Sequence, residues 1–181
     1  MRTLPAPLAA PLLMALAAGC GGDEPLEPTY ENVVGVFERS CGTASRSCHG
    51  GSRGSAGLNF QPALAEGRPI TDELVGVPAC QYDRMNRVEP GDPEASWLWI
   101  KLTGDHDAAG RLEFTPAADW DPGLERRPDG TYPPSICPSV EDGELTFGSL
   151  MPQNGDRPQL LPARELTMIR EWILAGAPGP S

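Results

Sequence analysis

The chain has 181 residues, with 14 Lys and Arg against 25 Asp and Glu, a formal net charge of −11. That balance excludes nucleic acid, whose binding rests on neutralising phosphates with cations, and argues against adhesion to anionic lipid head groups. A basic protein or a positively charged small molecule is compatible with it, and acidity also keeps a protein soluble. With 21 Gly and 21 Pro, much of the chain has to be loop.

Arg2 is the only charge before Asp23, and a short apolar run follows it: Leu8-Ala9-Ala10, then Leu12 to Leu16. A positive start and a brief hydrophobic region are the marks of a signal peptide. The run is shorter than the roughly 20 apolar residues a spanning helix needs, and Pro5, Pro7 and Pro11 oppose a stable helix. It closes on Leu16-Ala17-Ala18-Gly19-Cys20, which resembles a lipobox. The expectation is cleavage after residue 19 and lipid on Cys20, which would tether the chain to a membrane of the cell envelope, on the periplasmic or outer surface. The alternative is an ordinary secretory signal with a chance cysteine, and either leads out of the cytoplasm. Residues 20–28, rich in Gly, Pro and acid, cannot bury enough apolar surface to fold and read as a spacer. The folded part is then one domain over about 29–178.

Within it, Thr29 to Ser40 reads as a helix, with Thr29 as its cap and Val33, Val36 and Phe37 at helical spacing. A Ser- and Gly-rich loop, Gly42 to Gly57, follows; Ala63 to Glu66 reads as a helical turn and Thr71 to Val77 as a short element. In Pro90-Gly91-Asp92-Pro93, Asp92 is placed to cap a helix with Pro93 as its first residue, and the body runs Ala95 to Leu102. Residues 105–148 show no sustained period and contain six prolines, so they read as a long irregular insertion. The last helix is expected from Ala163 to Ala175, with Leu166, Ile169, Trp172 and Ile173 as its apolar face and Gly176 and Pro178 ending it.

Four cysteines remain once Cys20 is set aside: Cys41, Cys48, Cys80 and Cys137. An even number in an oxidising compartment points to disulfides or to cofactor attachment. Cys48 is followed at once by His49, with Cys41 upstream, the kind of arrangement that holds covalent haem: sulfurs form thioethers and the adjacent imidazole ligates iron from one side. The sixth position needs a ligand from far along the chain, and Met151, before Pro152 and the last helix, is placed for it; a thioether there favours ferrous iron. The open alternatives are a Cys41–Cys48 disulfide with Met151 as an ordinary core methionine, and a zinc site from Cys41, Cys48, His49 and Cys137. Cys80 and Cys137 are expected to pair with each other. Trp97, Trp99 and Trp172 read as core aromatics and His106, in an acidic loop, as solvated.

The run Val36-Phe37, Ser40-Cys41, Cys48-His49-Gly50, Gly57-Leu58, Pro90-Gly91-Asp92-Pro93, Ser96, Leu98, Lys101-Leu102, Met151-Pro152 and Ile169 to Ala177 resembles the c-type cytochrome-like domains of bacterial envelope lipoproteins, the planctomycete-type cytochrome c group. The resemblance spans about Tyr30 to Ala177 without the 105–148 insertion. It implies a mostly α, small cytochrome c-like helical domain with long irregular loops. It further implies electron transfer to a redox partner protein of the envelope, and a c-type haem (heme c) as cofactor. Carried over by position, Cys41 and Cys48 would attach the haem, and His49 and Met151 would be the iron's ligands. The family spaces its two cysteines by two residues, whereas six, Gly42 to Ser47, lie between them here; attachment through Cys48 alone is the variant reading. No nucleophile elbow, P-loop or dinucleotide fingerprint is present, so an enzyme acting on its own is not expected. The competing class is a haem-free, disulfide-stapled envelope domain that binds a protein or glycan.

Overall fold

The computed structural model describes residues 24–41, 49–50, 54–135, 137–154 and 157–181; the expected signal peptide, Cys20 and Cys48 lie outside them. Thr29 opens α1 (Tyr30–Ser40): its hydroxyl accepts the Asn32 N–H at 3.3 Å, and Glu31 sits in the first turn where the helix dipole favours an anion. Val33, Val36 and Phe37 recur on one face of α1 and are buried. They meet the face of α4 (Ala163–Leu174) that buries Met168, Ile169, Trp172 and Ile173. Leu166, half-buried, packs against the same cluster, and Met168, which the spacing did not single out, is buried in it. Glu165 is also on it and reaches Arg39 of α1 at 3.0 Å.

A Schellman motif ends α4. Gly176, at φ +92°, donates its N–H to Ile173 O, and Ala177 donates to Trp172 O. The Pro90-Gly91-Asp92-Pro93 turn grips the same helix: Gly91 N–H donates to Ile173 O at 2.8 Å, and Arg170 reaches Glu94 at 3.1 Å. The turn before α3 and the end of α4 therefore meet at one place.

Between them come α2 (Gln61–Ala65), a 3-10 turn (Ile70–Glu73) and α3 (Trp97–Thr103). The helix expected to open at Pro93 starts four residues later, at Trp97. Asp92 does accept the Ala95 N–H at 3.0 Å, but it caps a turn, because the Ser96 hydroxyl bonds Glu89 N and Asp92 O and holds the backbone out of the helix until Trp97.

The expectation of a mostly α, cytochrome c-like helical domain is corrected here: the fold is mixed α/β. Only α1 and α4 exceed ten residues, and two antiparallel ribbons accompany the helices, β1 (Ser139–Glu141) with β2 (Glu144–Thr146) and β3 (Gln153–Asn154) with β4 (Arg157–Pro158). The physical reason is proline and glycine density, which interrupts helices and leaves backbone groups to be satisfied by ribbons and isolated bridges such as Val75–Val88 and Arg111–Ser149. The 105–148 stretch is accordingly not structureless. Asp142 and Gly143, both at positive φ, turn β1 into β2 as an Asp-Gly hairpin does.

Two apolar clusters result. One joins α1, α4, Phe60, Ile70, Leu74, Val88 and Leu102. The other is aromatic, with Tyr82, Trp97 and Phe147 at its centre and Phe114 and Trp120 packed against it, so that the insertion supplies much of it. Phe114 meets Trp97 and Phe147 edge to face, each with centroids 5.0 Å apart. A disulfide joins Cys80 to Cys137, as expected from the sequence, and ties the insertion to the body. Trp97 and Trp172 are core residues and His106 is exposed.

Ile169 has no exposed surface and Leu160 is 58% exposed, which sets up a contrast. Replacing Ile169 by Ala should lower the unfolding free energy in urea by about 2–5 kcal/mol without changing the denaturant slope. Leu160→Ala should move it by less than about 0.5 kcal/mol.

Candidate functional site

At the seam of the two clusters lies a small apolar cleft with about 70 Å3 of free space, below the size range of drug-sized ligand sites. Leu58, Leu74 and Leu98 line it from the first cluster and Ala79 and Trp97 from the second. Its other walls are His49, Met151, Gln81, Arg87 and Lys101, together with Ala56 and Cys80.

His49 is 8% exposed. Its N–H donates to Cys41 O just past the end of α1, its carbonyl accepts from Phe60 N–H, and its ring lies edge-on to Phe60. Nδ1 is 3.2 Å from Leu58 O. A carbonyl can only accept, so the ring donates an N–H to Leu58, and a second backbone bond, to Ser55, also engages the imidazole. Burial holds the imidazole below its ordinary pKa, against the opposing pull of the Leu58 and Ser55 backbone bonds, and it is neutral at physiological pH. A neutral imidazole with one nitrogen committed to a backbone carbonyl is the form that binds metals.

Met151 is half-buried and lines the same cleft. Its N–H donates to Lys101 O at 2.7 Å, which lashes the Met151 segment to α3. The structure thus brings His49 and Met151, 102 positions apart in sequence, to one cavity. Cys41 is buried in the first cluster, where its N–H caps α1 by donating to Phe37 O, and it is not among the residues lining the cleft. Cys48 lies outside the described residues. Cys80 lines the cleft but is committed to Cys137, which removes Cys137 from any zinc site. Among the described residues no group of three or more His, Cys, Asp or Glu is arranged to hold a metal ion. Gly57, at φ +70°, passes so close to the disulfide that an added Cβ would sit 3.0 Å from Cys80 Cβ.

Sequence reasoning missed the two cations. Lys101 is the chain's only lysine and is 5% exposed. Its ammonium donates to Phe147 O at 2.7 Å, and burial pushes its pKa down to about 8. Arg87 donates to Glu73 O at 2.6 Å and Gly57 O at 2.8 Å. Nothing in spacing or composition sets either apart from other charged residues; only their burial does.

No family model matches the chain, and no curated protein or solved structure is detectably similar to it. Among the described residues no helix is long and apolar enough to cross a membrane.

The Lys101 shift has a definite sign. The folded state holds this proton less tightly than the unfolded chain, so stability should rise as pH climbs from about 8 toward 10.5. Lys101→Met should remove that rise and, at pH 7, unfold at higher urea by roughly 1–3 kcal/mol, because no buried charge remains. Chemical denaturation at pH 7, 8 and 9.5 measures both effects.

Proposed function

We propose that the chain is a lipid-anchored electron carrier of the cell envelope that carries a c-type haem attached beside His49, with His49 and Met151 as the iron's ligands. The observation that carries the reading is that His49 and Met151, the two donors expected as iron ligands, line the same apolar cleft. The donor set fits the group: a neutral imidazole and a thioether are a pair found at electron-transfer haems. When bound, haem supplies a one-electron couple. The protein's own residues set the conditions for it: the Leu58 carbonyl fixes the imidazole's tautomer, and Trp97, Leu74 and Leu98 keep water from the iron's surroundings. The α3 backbone holds the Met151 segment in place through the Lys101 carbonyl.

Attachment falls to Cys48, the residue before His49, since Cys41 faces the first cluster. Single-cysteine attachment also removes the difficulty of the six-residue spacing. The redox partner on this reading is another protein of the envelope, and catalysis by the chain alone is not part of it.

The deciding experiment is an intact mass and a visible spectrum of the protein made in a periplasm with haem-attachment machinery. A mass gain of one haem with a Soret band is expected. Met151→Ala should then shift the Soret band and lower the potential by roughly a tenth of a volt or more, with the far-UV spectrum unchanged. A colourless protein whose mass lacks four hydrogens would mean two disulfides and would refute the reading. The tether is tested separately. Cys20→Ser should abolish incorporation of labelled fatty acid and move the protein to the soluble fraction, and continued labelling would place the lipid elsewhere.

A further inference from the structure

The Cys80–Cys137 disulfide stands between two hollows. On its inner side Cys80 lines the small cleft, together with Arg87 and Lys101. On its outer side both cysteines lie on a surface groove with about 370 Å3 of free space, walled by Trp120, Pro78, Pro122 and Pro138. Among the described residues the charged ones on this groove are Arg87 and Asp83, and the Asp83 carboxylate accepts the Trp120 indole N–H at 2.8 Å. The two sulfurs are not equivalent, since Cys137 is exposed and Cys80 is half-buried. Gly57 runs beside them, and an added Cβ there would stand 3.2 Å from Cys80 Sγ and 3.7 Å from Cys137 Sγ. Its carbonyl accepts from the Arg87 guanidinium at 2.8 Å. In a chain of net charge −11, the half-buried sulfur is thus the one backed by cations.

We propose that the groove is a thiol–disulfide exchange site for a dithiol, which attacks Cys137 and releases Cys80, untying the insertion from the body. The proposal is independent of the haem reading. Exchange needs one sulfur open to an incoming thiolate and the other able to leave as a thiolate. Attack on Cys137 Sγ forms a mixed disulfide and sends the electron pair of the S–S bond to Cys80, which takes a proton from solvent. The second thiol of the reagent then displaces Cys137, so the protein gains two thiols and the reagent is oxidised to a disulfide. Cations beside a sulfur stabilise its thiolate and make it a better leaving group. Asp83 opposes this, but it is exposed and screened by water, whereas Arg87 is half-buried and Lys101 buried. The bond joins the body to the stretch that supplies Trp120 and Phe147 to the aromatic cluster, whereas the α1–α4 pairing has no covalent share in it.

The test uses the full chain without denaturant and dithiothreitol as the dithiol, with alkylation and peptide mapping to follow Cys80 and Cys137. The rate of reduction should rise in proportion to dithiothreitol. A rate that levels off would show exchange waiting on an opening of the fold, and would overturn the proposal. With 2-mercaptoethanol and an acid quench, the mixed disulfide should be found on Cys137 with Cys80 free; adducts on Cys80 would overturn it equally. Neither measurement needs a variant. Arg87→Gln should slow the reaction roughly threefold or more, and Arg87→Lys should restore most of the rate. An unchanged rate in a folded Arg87→Gln protein would overturn the role given to the cation. After reduction, amide hydrogen exchange within 105–148 should quicken roughly tenfold or more while α1 and α4 keep their protection. Unchanged exchange in the insertion, or loss of protection throughout, would overturn the untying.

Discussion

A helix of seven residues makes too few internal hydrogen bonds to persist by itself, so α3 exists only because its surroundings hold it. At its start, Trp97 and Leu98 donate their N–H groups to Asn86 and Arg87 carbonyls. At its end, Lys101 is bonded through its ammonium to Phe147 and through its carbonyl to Met151. Its side chains are divided between the two clusters, Leu102 in one and Trp97 in the other. Every feature of the cleft follows from that grip. Trp97, Leu98 and Lys101 are its wall, Met151 is held against it, and Arg87 is drawn in by the backbone bond to Leu98.

The insertion belongs to the same construction. Phe147 accepts the Lys101 proton, Gly148 approaches Lys101 so closely that a side chain there would sit 3.3 Å from the ammonium, and the Cys80–Cys137 disulfide crosses beside the cleft. A stretch with no periodicity of its own thus furnishes the aromatic half of the interior and sets the position of the buried cation. His49 and Met151 come from outside the insertion, whereas the Lys101 ammonium is fixed by the Phe147 carbonyl within it.

The parts of the fold that were legible in sequence are those decided locally. Thr29 caps α1 by the bond its residue type predicts, and Gly176 closes α4 in the left-handed conformation that glycine accepts. The Cys80–Cys137 pairing was also within reach, because few partners were available. Misread features were decided by competition. Asp92 is a good cap, but Ser96 intercepts the backbone first, and α3 starts later than the proline suggests. The mostly helical class failed because helix signals were clear at α1 and α4 and were extended to the middle, where prolines prevail. One missed signal was present: Asp142-Gly143, flanked by Val140 and Leu145, is a strong short-range mark of a hairpin. At the site, His49 and Met151 could be named from residue type and position, and they do line one cavity. Arg87 and Lys101 could not, since a buried cation looks like any other until tertiary packing covers it.

The pairing of α1 with α4 has a further consequence for how the molecule comes into being. Among the described residues α1 is the first helix and α4 the last, and the one covers the other. Until residues 163–177 are delivered, Val33, Val36 and Phe37 lack the α4 side of their cluster, and the Gly91 N–H has no Ile173 carbonyl to meet. Such long sequence separation makes closure slow relative to local helix formation. A polypeptide that stops even fifteen residues short would keep its cleft-lining residues and still lack the surface that completes its interior. The 163–177 segment, with no residue in the cleft, is the keystone of the described fold.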